Sequence, residues 1–476
     1  MKSDPVRRLG LTILVEVEAG KILDRQLDAA FDQLAEPRDR AFLAEMVRGT
    51  IQWRERYRHV LKSFVSRQLP EDPVLLQLLF MSCHQLLAMG SVPPYAAIHQ
   101  AGQLCRERVG EDKVGFVNGL LQAMKRRLLP EAGDAAGDAP DAGRLPDTSR
   151  LLTLFDDVSD DPVRHLAAWQ SHPHWLIKRW VERFGPEATQ AICAANNQPL
   201  DLCLRVLEPQ PVGEACALLQ DAGCPVVSVE DSRSLVVPGR LARPQLRPLL
   251  ERFPWLIVQD ETVQRATSWL MSGREDLRQA GRWPGNDLPV LDMCASPGGK
   301  TVRLAAGWTD TGPLLAMDGR PERLARLQDT IQRTGHHGVH VLLGDGTCPP
   351  LRPGTCAAVL VDGPCSGTGV IRHHPEARWH LERRSPRRNG KVLESLAVKA
   401  ADLLAPGGLL MYATCSLEEE ENEKVIEAVL AQVEDLEPCP DPSGRWQRLW
   451  LPGQDGGGDG FFAARLSRKV RQGVTR

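Results

Sequence analysis

From the N-terminus to about residue 127, apolar residues recur three and four positions apart, the spacing of amphipathic helices. The stretches LTILVEVEAGKILDRQLDAAFDQL and RDRAFLAEMVRGTIQWRERYRHVLKSFV show it most clearly. DPVLLQLLFMSCHQLLAMG is too apolar for a surface helix and predicts one that crosses the middle of a bundle. SVPPYAAIHQAGQLCRERVG, entered through a proline turn, and VGFVNGLLQAMKRRLLP complete the set. Residues 1–130 are therefore expected to be all-α. EAGDAAGDAPDAGRLPDTS then breaks the periodicity with Ala, Gly, Asp and Pro, so residues 131–160 are expected to be an acidic, disordered linker.

Residues 161–255 mix shorter patterns. HWLIKRWVERFGPEATQAICAANN predicts two helices; LDLCLRVL, PVVSVE and SLVVPG predict short strands, with a helix in VGEACALLQDAG. The expectation is a small α+β module. From 256 to 470 the alternation becomes regular. LPVLDMCASPGGKTVRLAAGW reads strand, glycine turn, helix, and GPLLAMDGRPERLARLQDTIQRTG repeats strand and helix. VHVLLGDG, CAAVLVDGP and GGLLMYATC are further strands, and GGGDGFFAARLSRK a Gly-rich turn and a last strand. This order predicts a doubly wound, Rossmann-like α/β domain with a parallel sheet.

Composition narrows the class. A chain of 476 residues with a net charge of −3 is not a small basic nucleic-acid-binding protein, although local basic patches remain open. The start, MKSDPVRRLGLTILVEVEAGK, carries Glu16 and Glu18 within its apolar part and does not read as a signal peptide. No apolar run of membrane-spanning length occurs. The 12 cysteines are scattered without a C-x-x-C pair, so no metal site is expected, and a reduced, cytoplasmic setting is. A monomer is expected.

The chemistry concentrates where predicted strands end. Cys294, Ala295, Ser296, Pro297, Gly298, Gly299 and Lys300 form the turn after the first strand of the α/β sheet. A P-loop would need glycine at position 294, where Cys294 stands, and G-x-G-x-x-G is absent. A ligand without a pyrophosphate, such as S-adenosyl-L-methionine, suits the turn better; a plain tight turn is the bland alternative. Asp318, Asp345 and Asp362 close the next three strands. Asp318 is placed to accept ribose hydroxyls and Asp345 to meet an adenine amino group. One such aspartate is often only a cap; three in one sheet suggest a cofactor site.

Cys365, in DGPCSGTG, and Cys415, in YATCS, follow strands expected to be neighbours. Two thiols beside a methyl donor suggest methylation of a pyrimidine carbon. Cytosine C5 is a poor nucleophile until a thiolate adds to C6 and turns the ring into an enamine. Asp362 is placed to stabilise the ring protonated at N3. The acidic block after Cys415 reads as helix-start chemistry, with Ser416 as N-cap and Glu419 at capping-box spacing. That helix N-terminus would lower the thiol's pKa. A buried small hydrophobe is the alternative for either cysteine alone.

In order, DMCASPGGKT, AMDGRPERL, GDGT, VDGPCSGTGVIRHHPEARW and YATCSLEEEENE resemble the motifs of the RNA cytosine-5 methyltransferases of the NOL/NOP/Sun type. The N-terminal helices resemble the antitermination factor NusB, and the whole layout resembles the branch of that family that modifies 16S rRNA. The resemblance implies S-adenosyl-L-methionine held by residues 294–300, Asp318, Arg323, Asp345 and Asp362. It implies Cys415 as nucleophile, Cys365 as the group assisting product release, and Asp362 and Lys300 as further catalytic residues. The residues alone do not order the two cysteines. Ser296 and Gly363 stand where the family often has Ala, and LRVLEP lacks the Asn that often follows LRV.

RHHPEARWHLERRSPRRNGK is the densest basic run in the chain. Arg372, His373, Arg378, Arg383, Arg384 and Arg387 are expected to hold RNA, with His374 and Trp379 interleaved; the alternative is a solvated helix face. The target base must leave its stack to reach a thiol. Two other functions stay open: the same chemistry on another RNA such as tRNA, or an RNA-binding ribosome assembly factor.

Overall fold

The computed structural model describes residues 3–129, 148–155, 157, 160–199, 201–229, 232–239, 243–308, 312–454 and 458–470. Most of the linker expected at 131–160 lies outside these residues. Its far end does not fit the expectation: Thr148–Leu152 is a short helix with Leu151 buried. The chain forms two compact units, Met1–Asn197 with His373–Leu381, and Gln198–Arg372 with Glu382–Arg476.

The first unit is helical. Helices Pro5–Glu18 and Pro73–Leu87 both begin on an Asp-Pro pair, and the side chains of Asp4 and Asp72 accept from the amides of Arg7 and Leu75. Helix Pro73–Leu87 is buried on nearly every face, as its composition predicts. Helices Pro37–Gln52, Pro94–Arg108 and Val114–Leu128 surround it with Leu43, Val47, Leu104, Val117 and Leu121.

Helices Pro162–Trp169, His174–Phe184 and Pro186–Asn197, which the sequence places at the start of the α+β module, cluster by contact with this unit. Their partners are far away in sequence. Arg56 stacks between the rings of Trp53 and Trp169 and donates to the Trp169 carbonyl; Gln52 donates to that of Asn197.

The second unit opens with a four-stranded antiparallel sheet. Its strands are β1 (Leu202–Val206), β2 (Val227–Ser228), β3 (Ser234–Val237) and β4 (Leu256–Val258), in the order β2-β3-β1-β4. Leu204, Val206, Leu219, Leu235 and Val237 make its core.

Helix Glu261–Gln279 leads to the large sheet. Its strands are β5 (Val290–Asp292), β6 (Leu314–Asp318), β7 (Val339–Leu343), β8 (Cys356–Asp362), β9 (Leu404–Thr414), β10 (Leu436–Pro438), β11 (Gln447–Trp450) and β12 (Phe461–Arg468). They run β10-β12-β9-β8-β5-β6-β7, with β11 paired to β12. The pairings from β9 to β7 are parallel; those of β12 are antiparallel, so the sheet is mixed at one side rather than wholly parallel. The strand order reverses at β5, which lies between β6 and β8, and this is the switch point where such sheets bind ligands.

Candidate active site

β5 ends on Asp292, β6 on Asp318 and β8 on Asp362, and β9 hands over directly to Cys415. Loops after these ends share one edge of the sheet.

The turn from Cys294 to Lys300 is tied to both neighbours of β5. The amide of Met293 donates to Leu360 O at 2.9 Å on one side, and that of Ala295 to Met317 O at 2.8 Å on the other. Gly298 has φ of +106°, and a Cβ there would lie 3.0 Å from Leu327 Cδ1. Only glycine suits it. At Gly299 a Cβ would meet nothing nearer than Gln259 Nε2 at 3.8 Å, so that backbone is open to close approach. The Ser296 hydroxyl donates to Arg323 O at 3.1 Å, and that of Thr330 to Pro297 O at 2.7 Å.

Asp318 is buried; its Oδ1 accepts from the Arg320 amide, and Arg323 Nη1 lies 4.0 Å from its Oδ2. Asp345, beyond β7, is exposed and accepts from the amide and hydroxyl of Thr347, which hold its carboxyl below the usual range. Asp362 Oδ2 accepts from Lys300 Nζ at 2.6 Å. Burial by itself lowers an ammonium pKa; the charges of Asp362, Cys415 and Asp292 outweigh it and raise that of Lys300.

The two sulfurs come together. Cys365 Sγ lies 3.3 Å from Cys415 Sγ, both half-buried and both free thiols. Register explains the meeting: Asp362 pairs with Ala413, so each cysteine lies two or three residues beyond paired strand ends. The Gly369 amide donates to Cys415 O at 2.9 Å and links the loops again. The hydrogen bond with Cys415, and then burial, hold the Cys365 thiol well above its usual pKa.

The sequence missed the residue that ties these loops. Glu421 is wholly buried. One carboxylate oxygen accepts from the Ser366 amide at 2.7 Å and Asn389 Nδ2 at 2.9 Å. The other accepts from the hydroxyls of Ser366 and Ser416. One side chain therefore holds the residue following each cysteine. Burial pushes its carboxyl up, against those hydrogen bonds. Ser416 is not the helix N-cap that its sequence suggests. The helix is Glu423–Gln432, with Asn422 before it, and a 3₁₀ turn at Glu419–Glu421 intervenes. Asp292 was missed as well. It is buried, accepts from the Thr301 hydroxyl at 2.7 Å, and has its carboxyl pushed up by burial to about 7, with the Asp362 charge adding to the rise. Its signal was present, since it closes β5 as Asp318 and Asp362 close β6 and β8.

The basic run divides. Arg383, Arg384, Arg387, Arg388 and Lys391 are exposed. Arg372, expected at RNA, is an internal anchor: its guanidinium meets Asp459 and Asp260 at 2.6 Å each. Arg378 is 0% exposed and donates to Ser171 O and Asn197 Oδ1 at 3.0 Å each, within the helical unit. Neither side chain is free for RNA. His373 is half-buried and begins the segment that belongs to that unit.

Comparison with known proteins accounts for nearly the whole chain. The profile of the 16S rRNA methyltransferase RsmB/F family matches residues 283–467, that of the NusB family residues 4–126, and that of the RsmF/B-like ferredoxin-like domain residues 172–238. The ribosomal RNA small subunit methyltransferase B of Shigella boydii serotype 18 is 30% identical, over 95% of this chain and 96% of its own. This chain belongs to the ribosomal RNA small subunit methyltransferase B family. The probable member from Bacillus subtilis is 28% identical over 98% of this chain and all of its own length. The crystal structure of PH0851 has the same fold, with a TM-score of 0.71 over 98% of this chain and 100% of that one, at 23% identity. NSun6 from Pyrococcus horikoshii, solved with SFG, matches 62% of this chain and 97% of its own at a TM-score of 0.50 and 17% identity.

As a member of the methyltransferase B family the chain is a methyltransferase. Two of its departures from the family's common residues have local explanations. Ser296 gains the bond to Arg323 O. At Gly363 an alanine Cβ would lie 2.5 Å from Leu393 Cδ2, so this chain's Leu393 rotamer requires glycine there. No described helix is long and apolar enough to cross a membrane.

Proposed function

We propose that this chain methylates C5 of a cytosine in small-subunit ribosomal RNA, using S-adenosyl-L-methionine and a covalent bond from Cys415 to C6. The observation that carries it is the 3.3 Å contact between Cys365 and Cys415 at the ends of adjacent parallel strands, next to the switch-point turn. The names of its relatives in the methyltransferase B family support the RNA.

The residues fit the cofactor. The Gly299 backbone is open, and Asp318 keeps a carboxylate at the end of β6, where ribose hydroxyls would donate to it. Arg323, Asp345 and the turn from Cys294 to Lys300 would complete the hold. When bound, the cofactor supplies the methyl group as an electrophile.

Cys415 adds to C6 while its thiol proton passes through water to N3, and the ring's electrons become available at C5. Asp362, held by Lys300 Nζ through its Oδ2, is placed for its carboxylate to accept the N3–H. Methylated C5 still carries its hydrogen. Loss of that proton to water restores the ring double bond and breaks the bond from C6 to sulfur, and N3 gives its proton back. Cys365, 3.3 Å away, donates S–H to the departing Cys415 thiolate. Glu421 sets the separation of the two sulfurs through Ser366 and Ser416 and is a positioning residue. Exposed Arg383, Arg384 and Arg387 are left to hold phosphates; Arg372 and Arg378 are not.

Single-turnover methylation of small-subunit rRNA tests the reading. Cys415→Ala should abolish transfer with cofactor binding retained. Cys365→Ala should accumulate a covalent RNA–protein band. Wild-type turnover in Cys415→Ala, or transfer to tRNA alone, would overturn it.

A further inference from the structure

Away from the sulfurs, the second unit holds three arginines around one carboxylate. Arg205 lies on β1, Arg233 just before β3, and Arg303 on helix Gly299–Gly307. Glu208 Oε1 is 3.5 Å from Arg205 Nη2, from Arg233 Nε and from Arg303 Nη1. Three guanidiniums on one carboxylate leave a formal charge of +2.

The donors are not used up. Contacts of 3.5 Å are too long for good hydrogen bonds. Among the described residues, the buried Nε of Arg205 and the Nε and Nη1 of Arg303 have no hydrogen-bond partner. Arg233 spends its donors on the carbonyls of Val206 and Leu207 and adds only charge. The Arg205 side chain is 4% exposed, yet besides Glu208 its nearest side-chain acceptor among the described residues is Gln264 Oε1 at 3.3 Å. Burial, and next the charge of Arg303, push its pKa down to about 10, as expected where positive charge is in surplus. The cluster opens to solvent past Glu208 and Arg233, which are 32% and 28% exposed.

A second anion would satisfy both the charge and the orphaned donors. Its position suggests which one. Arg303 is three residues after Lys300 on the same helix, so the two side chains share a face. We propose that Arg205, Arg233 and Arg303 form a phosphate site that takes a phosphodiester of the substrate RNA beside the cofactor turn. Glu208 occupies part of this site in the absence of RNA and weakens the binding. The inference rests on RNA being the substrate.

Two substitutions with opposite expected signs test it, in the full chain, with a small-subunit rRNA transcript as probe. Arg303→Gln should weaken binding about 5-fold at low salt and reduce the slope of log affinity against log salt by about 0.7–0.9, one phosphate contact. Glu208→Gln should tighten binding about 3-fold, because it removes the competing carboxylate. Should Arg303→Gln fold poorly, Glu208→Gln and Arg303→Lys carry the test alone, the lysine keeping the charge and most of the affinity. Affinity for S-adenosyl-L-methionine should not move in any variant. Unchanged RNA binding in Glu208→Gln and Arg303→Gln overturns the site, as does a change in cofactor affinity alone, which would assign the anion to the cofactor's carboxylate. Tighter binding of inorganic phosphate without tighter binding of RNA overturns it too, as a site for the free ion. If the wild-type chain does not bind the transcript at all, it is the RNA reading that falls.

Discussion

Two charged runs flank the two cysteines, and they were put to different uses. The acidic run after Cys415 has one wholly buried carboxylate, Glu421; the basic run after Cys365 has one wholly buried guanidinium, Arg378. Both look in sequence like solvated charge. Glu421 accepts from the residues that follow both thiols, so its burial ties together the two loops that carry them. Arg378 donates to Ser171 and Asn197 in the helical unit, so its burial serves folding of that unit. Burying a charge is costly unless its partners are complete. What the partners are attached to therefore decides what the buried charge does.

The sharpest break of this comparison is Glu421→Ala. With Ser366 and Ser416 released, single-turnover methyl transfer should fall about 100-fold, the loss expected for reacting groups misplaced by about 1 Å. Cofactor affinity should stay within about 2-fold, and Glu421→Gln, which keeps an acceptor for the Ser366 amide, should recover much of the rate. Full turnover in Glu421→Ala would show the carboxylate to be structural only.

Arg378→Met should do the reverse. It should destabilise the helical unit by about 2–3 kcal/mol, through acceptors left unpaired, and leave RNA affinity unchanged where that unit is folded. Urea unfolding followed by tryptophan fluorescence reads the first effect; Trp180 packs against His172 in the same cluster. A loss of RNA affinity without loss of stability would return Arg378 to the RNA surface.

A smaller effect concerns pH. Glu421 has its folded pKa raised above the ordinary 4.5, so the folded state binds the proton more tightly than the unfolded one. Its contribution to stability is full below that ordinary value and is lost as pH rises through the folded pKa. Glu421→Gln cannot titrate. Denaturation midpoints measured upward from pH 4.5 should therefore fall in the wild type relative to the variant. Parallel profiles would mean that the carboxyl titrates normally.

Arg387→Ser should give the smallest change, about a 2- to 3-fold loss of RNA affinity that vanishes at high salt, as for one exposed phosphate contact. An equal loss at high and low salt would point to a base contact instead.

Much of the fold was legible. Helices spaced at three and four, strands closed by Asp318 and Asp362, and the family-ordered cysteine motifs follow from patterns within a few tens of residues. Less legible were features that depend on distant partners. The helices from Pro162 to Asn197 join the first unit through Trp53 and Arg56. Ser416 looked like a cap because capping boxes are read locally, while its hydroxyl is committed to Glu421. Local spacing also gives no sign that β12 runs antiparallel beside β9.

By itself the sequence determined the element types, the switch-point turn and the presence of two thiols on successive strand ends, because periodicity and strand termini are local properties. Only the tertiary structure decided that those thiols lie 3.3 Å apart, that Glu421 fixes them, and which arginines remain exposed. The physical reason is that a charge does not encode its own partner. Arg378 finds Ser171 207 positions away, and Lys300 finds Asp362 62 positions away. Which charges are buried and paired, and which are left facing solvent, is settled when those distant segments meet.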